Sequence, residues 1–297
     1  MLKRVIRSVL LLLLTTGTVQ AATQCLPDNA SLPEAWSKSY PAHRIIGNLY
    51  AVGGVDLASF LIATDAGLIL VNTGLADSTR DLRTNIESLG FRLEDIKLLL
   101  TTQAHFDHVA AFAEIQALTA APMWATAPDA PILEDGGASD AHFGHCSEFR
   151  FEPIQVNRIL ADNEIFTLGN VNIRTHLHPG HTEGSASYSF TVRENERDYR
   201  VLIANMGSIN DGKRLLIEPT YPIVASDFAT TYRKQLALEI DVWVASHASQ
   251  YGRDKKYQPG QNYDPDTFVD PNGFRLAVER LRQIFLEQLQ AEVMASE

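Results

Sequence analysis

The chain has 297 residues, of which 45% are hydrophobic and 21% are charged, proportions that are typical of a folded globular protein. Its 25 basic and 36 acidic residues give a net charge of −11, and no basic run follows the first ten residues, which excludes a protein that binds nucleic acid through its phosphates. The 2 cysteines are too few for a scaffold built on several disulfides or for a zinc ribbon with four cysteines.

The N-terminus has the pattern of an export signal. Its basic residues are Lys3, Arg4 and Arg7. A short apolar stretch over residues 9–14 follows, and small residues then form a cleavage site. A membrane span requires about 20 apolar residues, so a retained anchor is the weaker alternative. We predict a signal peptide over residues 1–21 and a single mature domain over residues 22–297, located in the periplasm without a membrane segment.

Cys25 and Cys146 allow two interpretations. In an oxidising compartment they can pair and fix the mature N-terminus. Two unpaired thiols are an equal alternative, because the sequence does not give the distance between them. In both cases we expect the cysteines to be structural.

Strand and helix patterns alternate along the mature chain. The predicted strands lie at residues 49–52, 59–63, 68–71, 97–102, 171–177, 186–192, 200–205 and 242–246. The predicted helices lie at residues 79–89, 109–117, 226–239 and 271–289. Residues 127–158 carry mixed signals and predict a long loop with a short helix. Two runs of strands, each followed by helices, indicate an α/β domain with two sheets and outer helices.

Three separated stretches carry side chains that can hold a metal ion. Each stretch follows a predicted strand, at the edge where an α/β fold opens its cleft. The candidate ligands are Gln103, His105, Asp107, His108, His181 and His247. Imidazole and carboxylate groups suit a borderline divalent ion, and zinc is the usual choice. This set is large enough for two adjacent ions. The other histidines are interpreted as structural, with His142 and His145 as candidates to flank a cleft.

These motifs resemble those of the metallo-β-lactamase superfamily. The run Leu-Thr-Thr-Gln-Ala-His-Phe-Asp-His, the turn His-Pro-Gly-His-Thr-Glu-Gly-Ser and the late Ala-Ser-His follow one another in the order typical of it. The resemblance extends from about residue 49 to the C-terminal helix. It implies an α/β fold of the αββα type, with two mixed sheets, helices on the outer faces and metal ions at one edge between the sheets.

Within the superfamily, two features favour the β-lactamases. The thioesterases, lactonases and nucleases typically place a metal-bridging Asp between the third and last histidines, where residues 202–208 contain no carboxylate. No cysteine lies at the second site, which excludes the β-lactamases that use one there. The order Asp107-His108, together with the late His247, is similar to subclass B3.

Three departures resemble the glutamine-bearing (GOB-type) branch of subclass B3. Gln103 replaces the usual first histidine, Asn72 replaces the usual Asp, and Met206 stands where many relatives have Ser. By that resemblance the first metal site consists of Gln103, His105 and His181, and the second of Asp107, His108 and His247. An amide oxygen is a poorer zinc donor than imidazole, so we expect one or two zinc ions per chain with tighter binding at the second site.

The predicted function is a zinc-dependent β-lactamase that hydrolyses the amide of penicillins, cephalosporins or carbapenems by attack of a metal-bound hydroxide and so confers antibiotic resistance. Asp107 is then a ligand and the catalytic carboxylate. Ser208 is a candidate donor to the substrate carboxylate, with an ordinary turn serine as an equal alternative. The small-molecule β-lactam is the predicted partner, and the oligomeric state stays open. The alternatives are a periplasmic lactonase or thioesterase, or a non-catalytic zinc-binding relative.

Overall fold

The computed structural model describes Cys25 and residues 31–296, so the predicted signal peptide lies outside the described residues. The strands are β1 (His43–Ile46), β2 (Leu49–Ala51), β3 (Phe60–Thr64), β4 (Gly67–Val71), β5 (Ile96–Leu100), β6 (Met123–Thr126), β7 (Val156–Leu160), β8 (Ile165–Leu168), β9 (Val171–Leu177), β10 (Ala186–Glu194), β11 (Arg197–Ala204) and β12 (Val242–Ala245). The helices are α1 (Thr79–Ser88), α2 (Phe106–Val109), α3 (Phe112–Thr119), α4 (Asp129–Glu134), α5 (Val224–Leu236), α6 (Arg253–Lys256) and α7 (Pro271–Ser296).

The strands form two mixed sheets. The 7-stranded sheet has the order β1-β2-β3-β4-β5-β6-β7, and the 5-stranded sheet has the order β12-β11-β10-β9-β8. Strands β4 to β7 run parallel to one another, as do β11 and β12. The other neighbours are antiparallel. The predicted α/β class with two mixed sheets is therefore confirmed.

The apolar core lies in two layers. One cluster fills the space between the sheets, where Phe60, Tyr188 and Val201 are fully buried, and it extends beneath α5 and α7. The other cluster lies on the outer face of the 7-stranded sheet, under α1, α3 and α4, and includes Ile86 and Phe112. Burial on both faces requires continuous apolar strands, and this is the pattern by which β4 and β5 were predicted. The layers follow the order helix, sheet, sheet, helix.

Several short elements differ from the sequence prediction. Strands β1, β7 and β8 lie at the ends of the two sheet orders, and β7 exposes most of its side chains. An edge strand needs few apolar residues, so its sequence carries a weak periodic signal. The segment predicted as a long loop contains the expected short helix, α4, but it ends in β7. Strand β6 and helix α6 are only 4 residues each, too short for a periodic pattern.

Hydrogen bonds around Thr102 join the end of β5 to both sheets. The backbone N–H of Thr102 donates to Asn72 Oδ1 at 2.9 Å, and its carbonyl accepts from Ala186 N at 2.8 Å and Asn205 Nδ2 at 3.1 Å. Its hydroxyl lies 2.7 Å from Ser246 Oγ. We call this set of contacts the Thr102 junction. It fixes the backbone immediately before Gln103.

Cys25 and Cys146 form a disulfide, with their Cα atoms 5.3 Å apart across a sequence separation of 121 residues. This selects the paired state of the two that the sequence left open. Within residues 31–296, no helix combines the length and the apolar character that a membrane crossing needs.

Candidate metal centre

Asp107, His108 and His247 converge at one edge of the sandwich. The first two lie on α2, directly after the β5 end, and His247 follows β12. One ligand atom from each lies within 4.8 Å of the others. Asp107 Oδ2 is 3.1 Å from His108 Nε2 and 3.5 Å from His247 Nε2. A buried carboxylate with two imidazoles is a donor set that zinc takes in proteins. We call these residues the second group.

Gln103, His105 and His181 lie beside the second group and form what we call the first group. The rings of His105 and His181 are 4.8 Å apart between centroids. The Gln103 Oε1 atom is buried and has no hydrogen-bond partner. His181 Nδ1 lies 2.7 Å from the Ser208 carbonyl, which leaves Nε2 as the nitrogen available to a ligand. A buried amide oxygen without a hydrogen-bond partner in the described part of the chain, two residues before His105 in the same motif, is a donor atom that a bound metal ion would satisfy.

The backbone around both groups is held by the segment after β4. Asn72 has a left-handed φ of 62°, which asparagine tolerates better than most residues. The Asn72 side chain donates through Nδ2 to Thr102 Oγ1 and accepts through Oδ1 from Thr102 N. Thr73 N donates to His108 O at 2.8 Å. At the second motif, Gly180 has φ 130°, and an added Cβ would lie 2.6 Å from the Phe228 ring. The backbone conformation therefore favours asparagine at position 72 and requires glycine at position 180.

His247 is oriented by a carboxylate that the sequence analysis did not select. Asp56 Oδ2 lies 2.9 Å from His247 Nδ1, and Asp56 Oδ1 accepts from Ser249 N at 3.0 Å. Trp36 Nε1 also donates to Asp56 Oδ2, at 3.3 Å. The imidazole therefore presents Nε2 to Asp107. Carboxylates behind ligand histidines commonly fix the tautomer in this way.

The charges of the site match metal ligation. Burial opposes ionisation of Asp107, but the charges of His108, His247 and His105 outweigh it and hold the Asp107 pKa well below its usual range. Burial lowers the pKa values of His108 and His181. The Asp107 carboxylate is therefore ionised near pH 7, the form that binds a metal, whereas the hydrogen bond with Asp56 raises the pKa of His247 against the effect of burial.

The walls of the site are aromatic on one side and polar on the other. Phe106 stacks on Phe149 at 4.5 Å, and Phe143 lies 5.0 Å from the His105 ring. A cleft of about 860 Å³ adjoins them, and His142 and His145 line it together with residues 209–212. His142 and His145 therefore lie at a cleft, which is the alternative to the structural role by which the sequence analysis interpreted them.

Three further residues contact histidines of the two groups. Ser208 lies at the border of the first group, where its hydroxyl is 3.3 Å from His181 Nδ1. Asp56 and Asp140 were not predicted, although each lies behind a ligand-type histidine. Neither has a spacing pattern that could have revealed it, because each meets its histidine only through the fold.

The comparisons with known proteins agree with this arrangement. The family model of the metallo-beta-lactamase superfamily matches residues 52–197. The crystal structure of the metallo-beta-lactamase GOB-18 from Elizabethkingia meningoseptica is 39% identical, and the match covers 91% of this chain and 99% of that one with a TM-score of 0.85. The class B3 di-zinc enzyme LRA-12 from an Alaskan soil metagenome is 44% identical, with 89% and 99% coverage and a TM-score of 0.84.

A third similar structure is BJP-1, a subclass B3 metallo-beta-lactamase of Bradyrhizobium japonicum. It is 33% identical, and the match covers 89% of this chain and 99% of that one with a TM-score of 0.82. High coverage on both sides shows that the similarity extends over the whole sandwich. The chain belongs to the metallo-beta-lactamase superfamily and resembles its subclass B3 members, as its motifs predicted.

Proposed function

We propose that this chain is a zinc-dependent β-lactamase that hydrolyses the lactam amide of penicillins, cephalosporins or carbapenems and so gives resistance to them. The observation that carries the proposal is the convergence of Asp107, His108 and His247 within 4.8 Å, beside the first group. Subclass B3 enzymes among the similar structures support the substrate class.

The proposed metal ligands are the members of the two groups. The second group offers an ionised carboxylate and two imidazoles, whereas the first group contains no carboxylate. We therefore propose one or two zinc ions per chain, with tighter binding at the second group. The unpaired Gln103 Oε1 and the unpaired ring nitrogens of His108 are buried polar atoms that such ions would satisfy.

The residues of the chain then have distinct roles. When bound, zinc supplies Lewis acidity, which lowers the pKa of a water ligand from 15.7 to about 7 and polarises the lactam carbonyl. Asp107, ionised and buried, accepts a hydrogen bond from the attacking water and fixes its orientation. The Ser208 hydroxyl, at the border of the first group, donates to the carboxylate of the substrate.

We also propose that the protein is exported and works in the periplasm as a single domain over residues 22–297. The Cys25–Cys146 disulfide supports this location, because such bonds persist in oxidising compartments. The N-terminal pattern of basic residues followed by an apolar stretch supports removal of residues 1–21.

The test is hydrolysis of a chromogenic cephalosporin by the purified mature chain, untreated, after chelation and after zinc is restored. We expect turnover that is lost on chelation and regained with zinc. His108→Ala should abolish turnover, and Glu279→Gln, an exposed residue of α7 outside both groups and the cleft, should leave it unchanged. A folded, zinc-loaded chain that hydrolyses an acyl-homoserine lactone but no β-lactam would overturn the proposal.

A further inference from the structure

A buried carboxylate lies behind the first group. Asp140 Oδ2 is 3.4 Å from His105 Nε2, and the two side chains are only 6% and 4% exposed. The residue belongs to the segment between α4 and β7, which was predicted as a loop. Burial of a carboxylate is costly unless it has polar partners. A buried carboxylate in contact with a proposed metal ligand therefore needs an explanation.

The two oxygens of Asp140 face different partners. Oδ1 accepts hydrogen bonds from the backbone N–H of His142, at 2.8 Å, and of Phe143. These bonds hold the carboxylate in place and leave Oδ2 within 3.4 Å of His105 Nε2, a buried nitrogen that has no closer hydrogen-bond partner among the described residues. Phe143 also packs edge-on against the His105 ring at 5.0 Å between centroids. The same short segment thus contacts His105 by a carboxylate and by an aromatic ring.

A neutral imidazole carries one proton on one of its two ring nitrogens. A carboxylate at Nε2 favours the proton there and so leaves Nδ1 unprotonated. If Asp140 accepts the Nε2 proton, Nδ1 is unprotonated and presents its lone pair to a ligand. At His247 the geometry is reversed, with Asp56 at Nδ1 and Nε2 toward Asp107. Each group thus contains one histidine with a carboxylate behind it.

We propose that Asp140 is a positioning residue for the first metal, selecting the His105 tautomer that ligates through Nδ1. It also places a negative charge beside a donor set, Gln103, His105 and His181, that contains none. Asp140 thereby compensates for the weak amide donor. This inference rests on the proposed metal sites, but it does not require that the chain hydrolyse a β-lactam.

Asp140→Asn is the informative substitution. The amide oxygen would stay on the two backbone N–H groups, so the NH₂ group would face His105 Nε2. Two donors cannot pair, and the imidazole must then protonate Nδ1, the nitrogen that the metal needs. We expect the dissociation constant of the first metal to rise by about 10- to 100-fold, the usual effect of losing such a partner. The dissociation constant of the second metal should change by less than about twofold.

The readouts are zinc affinity, by competition with a chromogenic chelator, and the absorption spectrum of the cobalt(II)-substituted protein. Neither readout requires turnover. The effect on metal binding can therefore be measured even if the chain does not hydrolyse β-lactams. Asp135→Asn is the matched control, because Asp135 caps the same segment through Ala138 N at 2.7 Å. It should change neither affinity. Asp56→Asn should weaken the second metal instead of the first.

Unchanged affinity of the first metal in folded Asp140→Asn would overturn the proposal, as would equal losses at both sites or an equal loss in Asp135→Asn. A second measurement uses the native chain and is independent of how the variant folds. Nitrogen-15 NMR of the metal-free protein should show His105 protonated on Nε2. Protonation on Nδ1 would contradict the assignment.

Discussion

If the proposed metal sites are occupied as described, Gln103 is the residue that we expect to limit metal loading most directly. Its amide oxygen is buried without a partner, at the position where an imidazole would be a stronger donor. We expect Gln103→His to tighten the first metal on the order of tenfold, measured by chelator competition. The rings of His105 and His181 already lie 4.8 Å apart, so the new ring would add a third imidazole to the proposed first site. Equal or weaker affinity in a folded variant would contradict this ranking of donors.

Asp129 makes stability depend on pH. Burial raises its pKa from 3.8 to about 6, despite hydrogen bonds from Thr182 Oγ1 and Gly184 N. The fold therefore favours the protonated carboxyl. The sign follows from linkage: this contribution to the free energy of unfolding is fully present below about pH 4 and is lost as the pH rises through about 6.

Asp129→Asn should remove that dependence, because an amide stays neutral and keeps an oxygen for Gly184 N. Between about pH 4 and pH 7, we expect the variant to gain about 2 kcal/mol in free energy of unfolding relative to the native chain, at 1.36 kcal/mol per pKa unit. Urea denaturation of the metal-free proteins at both pH values measures it. Parallel pH profiles for the two chains would show that Asp129 does not titrate in this range.

At the residue scale, the sequence indicated the proposed ligands but not the carboxylates that contact them. Gln103, Asp107 and His108 lie close together in one motif, so their spacing was visible. Asp56 and Asp140 come from other segments and contact His247 and His105 only after the sheets have packed. No periodicity encodes such contacts, and that is the physical reason why they escaped prediction.

At the scale of elements, α5 holds the turn that carries His181 and the segment that leads to Ser208. Thr231 Oγ1 donates to Pro179 O at 2.7 Å, next to the turn that carries His181. Tyr232 OH donates to Gly207 O at 2.6 Å, and Gln235 Nε2 donates to Asn205 O at 2.7 Å. One face of a helix thus fixes two segments that are distant in sequence.

Tyr232→Phe tests this contact without creating a cavity. The Gly207 carbonyl would lose its donor inside the fold, and we expect a loss of about 1–3 kcal/mol in the free energy of unfolding. Denaturant titration measures it. Tyr263→Phe is the control, because that hydroxyl accepts from Gly47 N on the surface, and its loss should cost less than about 1 kcal/mol. Equal losses in the two variants would show that the buried contact adds nothing.

The elements that were predicted correctly are those buried on both faces or packed beneath long helices. The apolar runs of β4 and β5 and the stripe of α7 reflect their burial. Strand β12 lies at a sheet edge, but all of its residues are buried, so its sequence is apolar as well. The edge strands β1, β7 and β8 have a partner on one side only, so their sequences need not be apolar. These strands exist because they hydrogen-bond to a neighbouring strand, and such pairing leaves no pattern in the local sequence.

For the whole molecule, the disulfide closes a loop over a separation of 121 residues. In the chain-entropy account, a loop of that length restricts the unfolded chain strongly, and removing the bond costs about 2–5 kcal/mol. We expect Cys25→Ser to lower the free energy of unfolding by that amount in denaturant titrations.

Reduction provides the control for this substitution. A dithiol reductant should bring the native chain to the stability of Cys25→Ser and leave the variant unchanged. If reduction lowers the stability of both proteins equally, the effect does not come from this bond.

The Thr102 junction implies that the site is built before any metal arrives. The amide hydrogens of Thr102 and Ala186 are both donated to buried acceptors on other segments. They should therefore exchange with deuterium only through global opening, whether or not zinc is bound. Metal-free chains would persist as folded molecules in zinc-poor surroundings, and activity would return at the rate of zinc uptake rather than at the rate of folding.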